Sequence, residues 1–104
     1  MSAHSLPVRL TAEAQDDFEA LRLYSRQEWG EEHEARYTAA LLSALGTIGE
    51  NPAIGRLRGE IADDLRSYLV RQHVIYYRAA EDAALVVRIL HARRDVQRGL
   101  GEPS

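Results

Sequence analysis

The spacing of apolar residues changes near Leu65, and this change limits the fold more than any other feature of the sequence. Before this point apolar residues recur every three or four positions, as one buried side of a helix requires. After it come short runs rich in Val, Ile, Leu and Tyr, which are typical of strands. A chain of 104 residues has the length of one domain. We therefore expect a single α+β domain over 1–104, with frayed ends at about 1–5 and 99–104.

Two amphipathic helices are predicted in the first half. Thr11 suits the N-cap of a helix that begins near Ala12, and Gly30 can stop that helix in a left-handed cap. A second, antiparallel helix follows and ends at Asn51-Pro52, because a residue before proline is pushed out of the helical region. The two apolar stripes comprise Ala14, Phe18, Leu21 and Tyr24 in the first helix, and Ala35, Leu41, Leu42, Leu45 and Ile48 in the second.

Strands are predicted on both sides of the helices. Residues 8–10 form a short first strand, while 65–71, 74–78 and 85–91 form a meander in which the break at 72–73 is the weaker turn. A glycine-bracketed loop carries Arg56 and Arg58, and 95–100 can add a helical turn. The order β-α-α-β-β-β describes a helical hairpin packed on one face of a small, mostly antiparallel sheet.

The last strand is apolar on both faces. Alternation of side chains places Leu85, Val87 and Ile89 on one face, and Val86 and Leu90, around Arg88, on the other. Two helices cover only one face, so the opposite face is predicted to receive a partner or to remain partly exposed. Some of Tyr68, Val70, Val74 and Tyr76 are expected there. The alternative is a smaller satellite core beneath the C-terminal tail.

Composition excludes several kinds of site. The absence of cysteine excludes disulfides, thiolate metal sites and cysteine nucleophiles. No apolar run approaches the roughly 20 residues of a membrane span, and no export signal begins the chain, so the cytoplasm is expected. The glycines fit no nucleotide-binding fingerprint. His73 and His91 with a carboxylate are disfavoured as a metal site, because helical His-x-x-x-His spacing is missing. We expect neither metal nor cofactor.

Charge is divided between the two halves, although the net charge is only −3. Residues 11–50 carry nine acids and three arginines, whereas 51–98 carry nine arginines and six acids. All 13 cationic residues are arginines, which suit bidentate contacts to carboxylate or phosphate. The arginine-rich half is expected to attract an acidic partner. The acidic half makes direct DNA binding unexpected.

Short motifs follow one another in a characteristic order over nearly the whole chain. They are Trp29-Gly30, Asn51-Pro52, Gly55-Arg56-Leu57-Arg58, Leu65-Arg66, His73-Val74-Ile75-Tyr76-Tyr77-Arg78 and Arg88-Ile89-Leu90-His91-Ala92-Arg93-Arg94-Asp95. This order resembles the ParE toxin family of bacterial type II toxin–antitoxin systems. The resemblance implies the fold that ParE toxins share with the RelE ribonucleases, in agreement with the helical hairpin and meander predicted above.

The resemblance also implies a function that is not enzymatic. ParE-type toxins poison DNA gyrase and block replication, and a cognate antitoxin, ParD-like or of another type, neutralises them in a hetero-oligomer. DNA is then reached only through antitoxin or gyrase, and no membrane is involved. The residues that we expect at the partner surface are Arg66, Tyr68, Val70, Tyr76, Arg78, Arg88 and Leu90. The three arginines are equally suited to pair with helix carboxylates such as Asp16 or Asp17.

Two alternatives remain open at this point. A RelE-type, ribosome-dependent mRNA endoribonuclease would draw its catalytic groups from Arg56, Arg58, Arg66, His91 and Arg93, with Arg78 a further candidate cation. The missing lysines favour the gyrase interpretation. For His91 a structural hydrogen bond near Asp95 is favoured over catalysis, and an Arg93–Asp95 pair is expected. A non-toxic, antitoxin-binding relic is the other alternative.

Overall fold

The computed structural model describes residues 5–93. Within this range the elements are β1 (Val8–Leu10), α1 (Ala12–Trp29), α2 (Glu31–Glu50), β2 (Arg56–Leu57), β3 (Leu65–Val70), β4 (His73–Ala79) and β5 (Ala84–His91). The predicted α+β class and element order are confirmed, with the two-residue β2 as an addition. The helical turn predicted at 95–100 and the Arg93–Asp95 pair lie outside the described residues.

The predicted helix boundaries hold, except for the conformation of one cap. The Thr11 hydroxyl accepts a hydrogen bond from the Ala14 N–H at 3.1 Å, as an N-cap should. Gly30 ends α1 and precedes α2, but its φ of 98° and ψ of 172° lie outside the left-handed helical region that we predicted. This conformation is essentially restricted to glycine. A single glycine therefore reverses the chain between the two helices.

The sheet has the order β1-β5-β4-β3-β2. β1 runs parallel to β5, while the other neighbouring pairs are antiparallel and form the predicted meander. The weak turn at 72–73 is displaced by one residue, because Arg71 adopts a positive φ of 55° and β4 begins at His73. β2 pairs with β3, and Arg56 lies opposite Ser67. The sequence did not predict this strand, which has two residues, both exposed.

The helical hairpin covers one face of the sheet and forms the main core with it. Buried positions in α1 follow the line Ala14, Leu21 and Ser25, so Tyr24 lies beside the stripe and is 61% exposed. In α2 the stripe runs through Leu41, and Leu42 is likewise turned outward. The predicted stripes were wrong at these two positions and at Ala35, which is also exposed.

The opposite sheet face carries a second, smaller core, as the satellite-core alternative predicted. It contains Leu65, Tyr76 and Leu90, and it is packed against Ile61 and Ala62 from the segment between β2 and β3. The segment between β2 and β3 therefore covers this core. The C-terminal tail, which we predicted as its cover, lies mainly outside the described residues.

A β-bulge explains why the predicted faces of β5 were wrong. Tyr76 is paired with Arg88 but Tyr77 with Val86, so Val87 is the extra residue. Because a bulge changes the alternation of side chains, Ile89 joins Val86 in the helix-facing core, while Val87 packs against the second core. Tyr68 and Val70, which were expected on the open face, also belong to the helix-facing core.

Candidate partner-binding groove

An open groove of about 890 Å³ lies where the C-terminal half of α1 and the first turns of α2 meet the β3–β4 turn and the end of β5. We call it the histidine groove, because the three histidines within the described range all line it. The side chains that define it are Tyr24, Trp29, His33, Tyr37, His73 and His91. A pocket of this size, built from three parts of the fold, is a candidate binding site.

Five rings follow one another along the groove. The centroids of Trp29 and His33 are 5.7 Å apart, and those of His33 and Tyr37 5.9 Å. Tyr37 meets His73 at 5.4 Å, and His73 meets His91 at 5.2 Å, both nearly edge to face. These separations are typical of favourable ring pairs. The rings form a continuous aromatic wall from the helix junction to the sheet.

The Tyr37 hydroxyl ties the helices to the β3–β4 turn. It accepts a hydrogen bond from the Gln72 N–H at 3.2 Å and shares a second hydrogen bond with Nδ1 of His73. Burial raises the pKa of Tyr37, and the Gln72 N–H and the Arg71 guanidinium oppose this shift. Arg71 lies over the Tyr37 ring at 5.9 Å from its centroid. Tyr37 is therefore a neutral side chain whose hydrogen bonds connect α2 to the β3–β4 turn.

The other two histidines are also hydrogen-bonded through Nδ1. His33 contacts the buried Ser25 hydroxyl at 2.8 Å, which joins α2 to α1. His91 accepts the backbone N–H of Arg93 at 3.0 Å. His91 therefore makes a hydrogen bond, as the structural role that we favoured requires. Its partner is a backbone N–H just after β5.

An ion pair closes the floor of the groove. Arg88 donates to both oxygens of Asp17, at 2.8 and 3.0 Å, and the Ile89 N–H donates to the same carboxylate at 2.9 Å. The carboxylate raises the pKa of Arg88 further above its usual range. This is one of the two roles proposed for Arg88 from the sequence, and it leaves Asp17 neutralised by a bidentate partner.

The groove also presents apolar surface to solvent. Trp29 is 65% exposed and Tyr24 is exposed to a similar extent, while the buried Leu21 also lines the groove. Large exposed aromatic side chains beside a pocket are typical of binding surfaces. Of the seven residues predicted at the partner surface, Leu90 lines this groove directly and Arg88 supports it through Asp17.

The remaining predicted partner residues have other surroundings. Tyr68 and Val70 face the helices, and Tyr76 is buried in the second core. Arg78 pairs with Asp64 at 3.0 Å. Arg66 donates to the carbonyl oxygens of Ala53 and Gly55, at 3.2 and 2.7 Å.

The candidate ribonuclease residues fall into two separate groups. Arg56, Arg58 and Arg66 lie around the β2–β3 pair, where Arg58 donates to Glu60 at 2.7 Å and to Ser67 at 3.3 Å. His91 and Arg93 lie at the far end of β5. Since Arg66 is level with Tyr77 and His91 with His73, the groups are about 13 Å apart along the strands alone. These five side chains do not form one cluster.

Sequence reasoning missed most of the groove. The four-residue spacing of His33 and Tyr37 places these side chains on neighbouring turns of α2 and was available as a signal, whereas Trp29 lies before the chain reversal at Gly30. His73 and His91 become neighbours only through the register of β4 and β5. Their separation in the sequence gives no such indication.

The fold and the groove define a class of protein: a small α+β domain with its accessible aromatic side chains gathered at an open groove, which is typical of proteins that bind other macromolecules.

No helix within residues 5–93 is long and apolar enough to cross a membrane.

Comparison with known proteins gives the family. The family model for the ParE toxin of the type II toxin–antitoxin system parDE matches residues 8–96. "Toxin ParE1" of Mycobacterium tuberculosis is 33% identical over 92 residues, covering 88% of this chain and 94% of that one. "Toxin ParE" of Escherichia coli is 32% identical over 94 residues, covering 89% and 91%. The chain belongs to the ParE toxin family of type II toxin–antitoxin systems.

A solved structure shares the fold. A chain of the chromosomal ParDE TA system from P. aeruginosa superposes with a TM-score of 0.74, covering 88% of this chain and all of that one at 14% sequence identity. The fold that the resemblance implied is therefore confirmed by a ParDE structure.

Proposed function

We propose that this toxin poisons DNA gyrase in the cytoplasm without catalysing a reaction itself, and that its cognate antitoxin neutralises it by binding in the histidine groove. Membership of the ParE family over residues 8–96 is the observation that carries the proposal. The chemistry of DNA cleavage belongs to gyrase, and the toxin contributes a binding surface.

The groove supports the antitoxin part of the proposal. Its exposed Tyr24 and Trp29 can cover apolar side chains of a bound segment, and Arg71 supplies positive charge beside them. An antitoxin segment with apolar anchors and acidic flanks fits this combination, and it can fold as it binds. We propose that toxin and antitoxin form a hetero-oligomer through this contact.

The separation of the cationic candidates supports the non-enzymatic part. Stabilising a phosphoryl transition state requires several charged groups around one reacting atom. Arg66 instead holds the 53–55 backbone, and Arg58 is drawn to Glu60. His91 lies at the other end of the strands.

A gyrase assay tests the proposal. Purified toxin added to gyrase, ATP and relaxed plasmid should inhibit supercoiling and accumulate cleaved DNA, and prior addition of antitoxin should abolish both effects. Gyrase activity that is unchanged by the toxin would contradict the proposal. Cleavage of mRNA on ribosomes that His91→Ala abolishes would replace it with the RelE-type enzyme.

A further inference from the structure

Arg71 is a long cationic side chain at a backbone position that suits other residue types. It is the first residue of the two-residue turn between β3 and β4, and its φ is 55°. A hairpin turn of this length places its first residue at a positive φ, which favours glycine or asparagine there. Within residues 5–93, positive φ also occurs at Gly30 and Asp64, whose residue types adopt it more readily than arginine does. Folding of the turn alone therefore does not favour an arginine.

The turn brings the Arg71 side chain to the histidine groove. Arg71 is exposed and lines the groove, and its guanidinium carbon lies 5.9 Å from the centroid of the Tyr37 ring. This distance is in the range of a cation–π contact. The ring is itself held in place, because the Tyr37 hydroxyl accepts a hydrogen bond from the N–H of Gln72, the second turn residue. The backbone of the turn and the ring of Tyr37 thus position the guanidinium from two sides.

A guanidinium in this position can bind a carboxylate. The Tyr37 ring that it contacts is uncharged, and an arginine over an aromatic ring can still donate from its outer N–H groups. Two parallel N–H donors match the two oxygens of a carboxylate. The same domain shows this geometry at Arg88, which donates to both oxygens of Asp17 at 2.8 and 3.0 Å. A bidentate contact of the same kind is therefore available to a carboxylate that enters the groove beside Arg71.

Exposed aromatic side chains near Arg71 would strengthen such a contact. Trp29 and Tyr24 line the same groove and are mostly exposed. A segment that covers these rings also removes water from the groove, and an ion pair is stronger where water is excluded. Apolar and acidic side chains on one segment would thus support each other in binding.

We propose that Arg71 determines the specificity of the histidine groove by forming a bidentate ion pair with an aspartate or glutamate of the antitoxin. The proposal rests on the proposed binding of antitoxin in this groove. It also explains the unfavourable backbone conformation, because a residue kept for recognition can lower the stability of its own turn. Arg71 is therefore expected to favour binding at the expense of folding.

Replacement of Arg71 by asparagine tests both halves of this expectation. Asparagine suits a positive φ and lacks the charge. Arg71→Asn should unfold at a temperature at least as high as that of the wild type, measured by circular dichroism. Its affinity for the antitoxin encoded beside the toxin, measured by calorimetric titration, should fall about tenfold or more. An affinity within about twofold of the wild type, or a lower unfolding temperature, overturns the inference.

Two further variants separate charge from shape and from backbone conformation. Asp64→Asn changes a charged residue with the same φ of 55° in the segment between β2 and β3, and it should leave the affinity within about twofold of the wild type. Arg71→Lys keeps the charge without the planar fork and should bind with an affinity between those of the wild type and Arg71→Asn. Added salt should weaken binding of the wild type and Arg71→Lys more than that of Arg71→Asn. Equal salt dependence in all three, or a matching loss in Asp64→Asn, overturns the inference.

The antitoxin supplies the other half of the test. Its aspartates and glutamates are replaced one at a time by asparagine and glutamine. At least one replacement should weaken binding to the wild-type toxin about tenfold and have little effect on binding to Arg71→Asn. The absence of any such coupled residue overturns the inference.

Trp29 fluorescence distinguishes failure of this inference from failure of the proposed function. If the antitoxin changes the Trp29 emission but binds Arg71→Asn as tightly as the wild type, the groove is occupied and the role of Arg71 alone is refuted. If the complex forms without a change in this emission, the antitoxin binds another surface. That result contradicts both the inference and the proposed binding in the groove.

Discussion

Aromatic side chains are buried on the sheet face opposite the helices but exposed in the histidine groove. On the side opposite the helices, Tyr76 is only 3% exposed and lies beneath Ile61 and Ala62, so its apolar surface already has a cover within the chain. In the histidine groove, Trp29 lies at the junction of two helices and remains mostly exposed. The first arrangement stabilises the fold, whereas the second leaves surface for a partner.

Polar groups follow the same division. Next to the covered side, Tyr77 and Arg66 use their polar atoms to hold the 52–55 backbone in place. In the groove, by contrast, His73 and His91 keep ring surface along an open wall. The family motifs are therefore not all functional surface. The Asn-Pro-x-x-Gly-Arg motif and the second tyrosine of His-x-Ile-Tyr-Tyr-Arg support the β2 side of the sheet.

The largest effect on folding is expected on the covered side. Tyr76→Ala removes a buried ring from the second core, and truncations of this kind cost about 3–5 kcal/mol. Urea denaturation followed by circular dichroism measures the loss. Leu69→Ala, on β3 but 63% exposed, is the matched control and should change stability by less than about 0.5 kcal/mol. Similar losses in both variants would show that the second core contributes little.

Breaking the ion pair beneath the groove should have the next largest effect. Asp17→Ala removes the carboxylate that accepts from Arg88 and from the Ile89 N–H, which should lower the free energy of unfolding by roughly 2 kcal/mol. The exposed pair Arg26–Glu31 gives the comparison, since Glu31→Ala should cost less than about 0.5 kcal/mol. Equal costs for the two changes would contradict a structural role for the Arg88–Asp17 pair.

A smaller loss is expected when the Tyr77 hydroxyl is removed. It accepts from the buried Gly55 N–H at 2.8 Å and donates to the Pro52 carbonyl at 2.8 Å. Tyr77→Phe should cost about 1–2 kcal/mol because both groups lose a buried partner. Tyr24→Phe, at an exposed hydroxyl, should be nearly neutral in the same unfolding experiment. A neutral Tyr77→Phe would mean that water replaces the hydroxyl without cost.

Replacing Trp29 should have the smallest effect on folding but a clear effect on antitoxin binding. Trp29→Ala should alter the free energy of unfolding by less than about 0.5 kcal/mol, because the ring is mostly exposed. It should weaken antitoxin binding at least about tenfold, since exposed aromatic anchors carry much of the energy of an interface. Surface-immobilised antitoxin measures this affinity, with Leu69→Ala as the control. An unchanged affinity would place the antitoxin elsewhere on the toxin.

The sequence predicted the elements better than the surfaces. Local signals such as the Thr11 cap and the proline after Asn51 act within a few residues, so the helix boundaries could be read directly. The bulge at Val87 depends on how β5 pairs with β4, and one extra residue moved Ile89 to the helix-facing core. Strand register, which a sequence pattern does not specify, therefore determined which apolar residues remain available to a partner.

The same limit applies to the groove. The pairing of an arginine with Asp17 was one of two open possibilities, and the structure assigns it to Arg88. Nothing in the sequence indicates that His73 and His91 lie together, because their contact depends on the register of two strands and on the Arg71 turn.

Fluorescence of Trp29 tests the central claim most directly. Trp29 is the single tryptophan of the chain and lies at the groove, so its emission reports occupation of that groove. An antitoxin in which any tryptophan is replaced by phenylalanine is titrated into the toxin. Binding in the groove should shift the emission to shorter wavelength and protect it from acrylamide, with saturation at the stoichiometry of the complex. A complex that forms with neither change would show that the antitoxin binds another surface.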